Sequence, residues 1–368
     1  MMEEEKQELK QGGAEVLFHR PGSPVLERLV ADPSGSLMFR LHPWEQAQDQ
    51  EEMVLRGRAE VVENLVAHAR PTTKRTARIV DGTRKKDHMD RVILAQEAIA
   101  QGSLRKVVLS SRLQVVVEGL DGQDIVQRLA LAHPDSFSWT FKHPSIGTWF
   151  GSSPEPLVQG QWPLFRTACL AGTRMAHLGN VSDPWTPKEQ EEQQLVTDGA
   201  LTALAAAACE DVRTGDRETI QYGPIEHLRT WVDFKATRPL SEIIRTLHPT
   251  PAVGGTPRAA ALDFIARNEG HDRAYYTGWV GLEEEENVAY YVNLRCAHLW
   301  DGVLTAYAGG GITAASKPAA EWDETRNKLR AVLDPIVHWT ECRLPHTVPS
   351  LQPWPWSRDF RVMGSRRW

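Results

Sequence analysis

From Lys106 to Val117 the chain opens with Lys-Val-Val-Leu and closes with Val-Val-Val, a β-branched run that reads as one long strand. Helices bracket it. Ahead of it, Met89 to Gln101 places Val92, Ile93, Ala95, Ile99 and Ala100 at helical spacing until Gly102-Ser103 closes the segment. Behind it, a helix near Asp124–Ala132 leads to a strand at Ser136–Lys142. Strand and helix are therefore interspersed.

The same alternation continues. Trp149–Gly160 reads as strand and turn and Leu164–Leu170 as a short strand. Thr186 as cap, Pro187 at the first helical position and Glu189 three residues after the cap form a capping-box signature, which starts an Ala/Leu-rich helix running to about Cys209. Further strands are expected at Glu218–Tyr222, Ala274–Gly281, Val288–Leu299 and Val303–Ala308, with a Pro/Gly-rich loop at His248–Pro257 and an acidic turn at Glu283–Glu286. A helix from Pro318 to Leu333 is the last clear element. The first 88 residues are polar and weakly periodic, with apolar stretches at Glu15–Phe18 and Leu37–Phe39 and spacing that suggests a helix from Gln48 to His68. After Asp334 the chain gathers Pro345, Pro349, Pro353, Pro355, Trp354, Trp356 and Trp368, a composition that cannot sustain a helix or a central strand. The organisation expected is therefore a divergent N-terminal part (1–88), a main unit (89–334) and an irregular tail (335–368).

Composition narrows the partners. No apolar run approaches the ~18–20 residues of a membrane span, and the opening Met1-Met2-Glu3-Glu4-Glu5-Lys6 lacks the order of a secretory signal, so the expected compartment is the cytoplasm. Cys169, Cys209, Cys296 and Cys342 are scattered without metal-ligand or redox spacing and read as reduced thiols. A net charge of −6 with no stripe of Lys, Arg and aromatics argues against nucleic acid and favours a small molecule.

Several residues have chemical potential. Glu189 and Glu192 sit three apart on one helix, and Glu321 and Glu324 on another, so each pair shares a face. Mg²⁺ binds through one or two carboxylates plus substrate oxygens and water, which two such helices can supply; equally, Glu189 can simply cap its helix and Glu324 pair with Lys328 on the surface. Lys106 begins a strand of apolar neighbours, whose desolvation would suit a base, although a lysine there can also snorkel to solvent. Glu155, after the aromatic strand residues Trp149 and Phe150, is either a protonated acid or an ordinary turn glutamate. Leu170-Ala-Gly-Thr173 and Tyr307-Ala-Gly-Gly-Gly311 follow strands and read as tight turns or as amide cradles for a carboxylate.

Taken together and in order, these segments resemble the chorismate-utilising enzymes, a family that includes isochorismate synthase, salicylate synthase and the large component of anthranilate synthase. The resemblance spans about Arg91 to Leu333. It rests on Lys106-Val-Val-Leu-Ser, Ser153-Pro-Glu155, Leu170-Ala-Gly-Thr173, Lys188-Glu-x-x-Glu192, His227-Leu228, Leu247-His-Pro-Thr-Pro-Ala252, Tyr276-Thr-Gly278, Leu294-Arg-Cys-Ala297, Tyr307-Ala-Gly-Gly-Gly311 and Ala320-Glu-Trp-x-Glu324-x-x-x-Lys328. It implies an α+β fold of two stacked β-sheets covered by outer helices, a four-layer α/β/β/α arrangement with the site between the sheet halves.

By that resemblance Lys106 is the base that activates water at ring carbon C2, and Glu155 the acid at the C4 hydroxyl. Glu192 and Glu324 look like Mg²⁺ ligands supported by Glu189 and Glu321. Tyr276, Arg295, Lys328 and the amides of Gly309, Gly310 and Gly311 are similar to groups that hold the substrate's carboxylates, and Thr173, His227 and Ala252 to pocket lining. Lysine at 106 implies water rather than ammonia as nucleophile, so no glutaminase subunit is expected and the chain is expected to act as a monomer. Ala252, where salicylate synthases typically carry Thr, implies isochorismate as the product; salicylate formation and non-catalytic chorismate binding are the alternatives. Gln193 and Arg229-Thr-Trp-Val depart from the family's usual residues.

Overall fold

The computed structural model describes residues 13–44, 51–65, 74–176, 184–222 and 225–340. Among these, nineteen strands join one hydrogen-bonded network and six helices pack on it. Its strands are β1 (Glu15–His19), β2 (Val25–Ala31), β3 (Leu37–His42), β4 (Met53–Asn64), β5 (Arg75–Gly82), β6 (Lys106–Val116), β7 (Phe137–His143), β8 (Gly147–Ser153), β9 (Pro156–Gln161), β10 (Leu164–Met175), β11 (Glu210–Thr214), β12 (Glu218–Tyr222), β13 (Ile225–Lys235), β14 (Gly255–Thr256), β15 (Trp279–Glu284), β16 (Asn287–Val292), β17 (Cys296–Trp300), β18 (Val303–Ile312) and β19 (Val337–Thr340). The helices are α1 (Lys85–Ala100), α2 (Gly122–Ala132), α3 (Pro187–Ala206), α4 (Leu240–Leu247), α5 (Arg258–Asn268) and α6 (Pro318–Leu333).

Pairing runs β5–β6–β18–β17–β8–β7–β1–β2–β4–β3–β15–β16–β9–β10–β13, all antiparallel. Only β19 joins in parallel, on β5. This ribbon doubles back so that its halves face one another: Phe137 of β7 stacks on Tyr291 of β16 with centroids 4.9 Å apart, and Phe39 of β3 on Phe141 of β7 at 5.7 Å. Aromatic rings supply much of the buried area between the halves. Outside, α1 and α6 pack on β6 and β18, α2 on β1, β7 and β8, and α3 on β10 and β13. That is the expected α/β/β/α layering. No helix among the described residues is long and apolar enough to cross a membrane.

Four sequence expectations are corrected. The helix expected over Gln48–His68 is strand β4 where it is described, paired with β2 and β3; the ends of that range lie outside the described residues. Thr186 does cap α3, but makes no side-chain bond to the helix backbone; its hydroxyl instead donates to the Glu189 carboxylate. The strand expected from Ala274 begins only at Trp279, because Ala274 and Thr277 adopt left-handed backbone. The run Val288–Leu299 is two strands, broken at Asn293–Arg295 where Arg295 has φ 48°. Both breaks are locked together: Thr277 N donates to Asn293 O and Asn293 N to Gly278 O, each at 2.8 Å, and Asn293 Nδ2 donates to Tyr275 O at 2.7 Å. A turn and a strand break thus become one rigid unit that presents Tyr276 and Arg295. Of the cysteines, Cys169 and Cys296 are buried and Cys209 half-buried, all free; Cys342 and the Trp/Pro-rich tail lie outside the described residues.

Candidate active site

A cavity of about 750 Å³ opens between the two halves of the sheet. Its walls carry most of the residues singled out in the sequence: Lys106, Glu155, Thr173, Glu192, His227, Ala252, Tyr276, Arg295, Gly309, Gly311, Glu324 and Lys328. These come from β6, the β8–β9 turn, β10, α3, β13, the loop after α4, the two backbone breaks, β18 and α6. Glu321 and Gly310 stand just behind the wall, whereas Glu189 is engaged by Thr186 at the start of α3.

One wall is dense in charge. Lys106, only 1% exposed, lies with Nζ 3.0 Å from Glu192 Oε1; Lys328 pairs with Glu324 at 2.8 Å, and Lys188 with Glu321 at 2.9 Å. Three glutamates of two helices are therefore matched by three lysines. Burial by itself would raise the Glu192 carboxyl, but Lys106, Lys328 and Lys188 outweigh it and hold it below the ordinary range. Glu321 differs: burial and the neighbouring Glu324 charge raise it, against the pull of Lys188.

Glycines let these groups meet. Gly309–Gly311 do not form the expected turn but continue β18, paired with Ser110, Leu109 and Val108 of β6. A Cβ at Gly311 would overlap the Glu192 carboxylate and lie 2.7 Å from Lys106 Cε; one at Gly310 would stand 3.5 Å from Glu321 Oε2 and 3.8 Å from Glu324 Oε1. Gly309 gives the same clearance to the Tyr276 hydroxyl, 3.0 Å from where its Cβ would be, and its carbonyl accepts from Lys328 Nζ at 2.9 Å. Similarly, Leu170–Thr173 lies within β10, with a bulge and left-handed Gly172 that brings the strand against Glu189 of α3.

The facing wall holds Glu155 in a different state. It is 3% exposed, and burial raises its carboxyl to about 8 despite Lys106, Lys328 and Arg295 nearby. At neutral pH this carboxyl therefore keeps its proton. Its turn is fixed by Ser153 Oγ donating to Val292 O at 2.5 Å and by Val292 N donating to Glu155 O at 2.9 Å. Arg295 lies beside it, lowered by burial to about 10 and still a cation at pH 7, with Nη1 buried and lacking an acceptor among the described residues. His227 is held well below its ordinary value by burial and by Arg295, so it is neutral. Its Nδ1 lies 3.1 Å from Gly172 O, which makes that nitrogen the N–H donor and turns Nε2, 3.4 Å from Arg295 Nη2, into an acceptor.

The charged wall also suits a hard dication. All its donors are carboxylate oxygens, and the three glycine positions leave them uncovered. Among the described residues no three His, Cys, Asp or Glu side chains converge closely enough to cage a metal unaided. Sequence reasoning gave no role to Lys188, Tyr222 or the apolar lining of Leu170, Val253 and Leu294. Lys188 had a usable signal, lying one turn from Glu192 on the same helix; Tyr222 and Leu170 are placed by strand pairing, and Val253 and Leu294 by the loop after α4 and the break at Asn293–Arg295.

The cavity thus brings together a buried carboxyl that keeps its proton, a buried lysine and carboxylates paired with lysines. Comparison with known families gives the class its name: residues 29–337 match the model described as chorismate binding enzyme, and the chain belongs to that family. It is 32% identical over 254 residues to the salicylate biosynthesis isochorismate synthase of Pseudomonas aeruginosa, covering 66% of this chain and 53% of that protein. Against isochorismate synthase EntC of Escherichia coli it is 30% identical over 254 residues, covering 66% of this chain and 65% of that one. The chain thus spans between half and two-thirds of these relatives' length. In fold it resembles MenF, the menaquinone-specific isochorismate synthase of Escherichia coli, with a TM-score of 0.74 at 20% identity over 88% of this chain and 89% of the other.

Proposed function

We propose that this chain is an isochorismate synthase, converting chorismate to isochorismate with Mg²⁺. The observation that carries the reading is that Lys106 and Glu155 line one cavity, the first 1% exposed among carboxylates and the second raised to about 8. In this reading Lys106, freed from its ion pair with Glu192 where that carboxylate would hold Mg²⁺, acts as the free amine and takes a proton from water as the water oxygen bonds to C2. The ring double bonds shift, the C4–O bond breaks, and Glu155 gives its proton to the departing hydroxyl, which leaves as water. One water enters and one leaves, so no redox partner is needed. Glu192 and Glu324 would hold Mg²⁺, with Glu321 behind them, and the ion would supply a partner for the ring carboxylate and neutralise the carboxylate wall.

Arg295 is suited to a second carboxylate, since a guanidinium meets one in a bidentate fork. Tyr276, raised by burial and therefore protonated, and Lys328 orient the same end of the substrate. Thr173, His227 and Ala252 complete the lining, with the small Ala252 leaving room on the side where a larger residue would crowd the ring. Because water is the nucleophile, no ammonia-supplying subunit is required, and a cytoplasmic monomer fits the proposal. Incubating the purified chain with chorismate and Mg²⁺ should yield isochorismate by chromatography. Saturable chorismate binding with no product would reject the proposal, and release of pyruvate without an added lyase would replace it with salicylate synthesis.

A further inference from the structure

Behind Glu155 and Arg295, outside the cavity lining, stands Tyr222 at the end of β12. Its Oη donates to Pro154 O at 2.8 Å, and its ring lies under the Arg295 guanidinium with 5.5 Å from Cζ to the centroid. Arg229 also reaches the phenol from the outer side. We propose that Tyr222 is a positioning residue that fixes the Glu155 turn and the Arg295 guanidinium relative to each other from outside the cavity. The inference rests on the reading of Glu155 as the proton donor and Arg295 as a carboxylate partner.

Among the described residues neither group is otherwise held on that side. Glu155's turn is pinned on its inner face, through Ser153 and Val292. Pro154 O, one peptide unit before Glu155, is tied by Tyr222 on the other, so the phenol decides how far the turn can tilt. Among the described residues the Arg295 side chain has, besides the Tyr222 ring, only a long contact to His227 at 3.4 Å, and its Nη1 has no acceptor. The ring face is therefore the main surface that sets the plane of the guanidinium. His227, with its ring 6.1 Å from that of Tyr222, closes the group.

Two variants of the full chain separate the phenol's bond from its ring. Tyr222→Phe keeps the ring and loses the bond to Pro154 O; kcat should fall about threefold to tenfold, with KM for chorismate changed by less than about twofold. Tyr222→Leu loses the ring as well, and KM should additionally rise about threefold to tenfold. A purely structural tyrosine would instead lower thermal stability while leaving kcat and KM of the folded protein unsplit between the two variants. An unchanged kcat in Tyr222→Phe, or an unchanged KM in a folded Tyr222→Leu, would overturn the inference. Glu155→Gln measured alongside separates the levels: if it is inactive while Tyr222→Phe is normal, only the role of Tyr222 falls, and if it turns over at the normal rate, the acid reading falls and takes the inference with it.

Discussion

The two walls of the cavity use the same residue type to opposite ends. On the α3 and α6 side, Glu192 and Glu324 each face a lysine within 3.0 Å, and Glu192 is held charged. Across from them Glu155 is more deeply buried, 3% exposed against 13% for the Glu192 side chain and 27% for that of Glu324, the cations near it do not outweigh the loss of water, and it keeps its proton to about 8. Direct ion pairing and shallower burial together separate the cases. A carboxylate in contact with an ammonium recovers what burial takes away, and one at longer range does not.

Breaking either wall should produce the largest effects. Lys106→Ala and Glu155→Gln should each lower turnover by about 10²–10⁴-fold, the usual worth of a positioned base or acid. Chorismate binding in the presence of Mg²⁺, followed by titration calorimetry, should survive in both. The walls should also differ in pH response. Glu155 is raised from 4.5 to about 8, so it is a competent donor below about 8 and ionises above it; kcat should fall as pH rises through that value. The same shift makes folding stability highest below 4.5 and progressively lower up to about 8, and Glu155→Gln should flatten both profiles in that window.

A smaller effect is expected where the charged wall is merely crowded. In Gly311→Ala the added methyl collides with Glu192 and Lys106, which should cost about 1–3 kcal/mol in urea unfolding and weaken the Mg²⁺ dependence of chorismate binding. Least affected should be Glu189→Ala. Because Glu189 meets Thr186 at the start of α3, its removal should cost about 0.3–1 kcal/mol through the helix dipole and leave the Mg²⁺ response intact. A large loss of Mg²⁺ response in that variant would return Glu189 to the metal wall.

The elements that carry the charged wall were legible in the sequence because they are local, although Lys106 and the glutamates, taken singly, read equally as surface groups and gained their roles from the order of the motifs. A β-branched strand starting at Lys106 and two helices with glutamates three apart define where those groups point before any tertiary contact is known. The facing wall was legible only through the order of its motifs, since Arg295 and Tyr276 sit on left-handed or turning backbone that interrupts apparently continuous strands. Val288–Leu299 contains nothing in its composition that predicts a break; Asn293, hydrogen-bonded to Tyr275 and Thr277, makes it. Strand β4 was misread for a related reason. Leu55, Ala59, Val62 and Leu65 fall near helical spacing, and only pairing with β2 and β3, distant in the chain, settles them as strand and its continuation. Likewise the glycines at 309–311 read as a turn, while β6 holds them in a ladder where their missing side chains make room for Glu192, Glu324 and Tyr276.

Running the reaction of the purified chain in ¹⁸O-labelled water and analysing the product by mass spectrometry tests the two-walled mechanism most directly. Isochorismate carrying one ¹⁸O at the C2 hydroxyl, lost together with turnover in Lys106→Ala, is the result predicted by water activation on one wall and proton donation on the other. Isochorismate formed without label would contradict it, because the hydroxyl would then have migrated within the substrate and neither wall would have the role given to it.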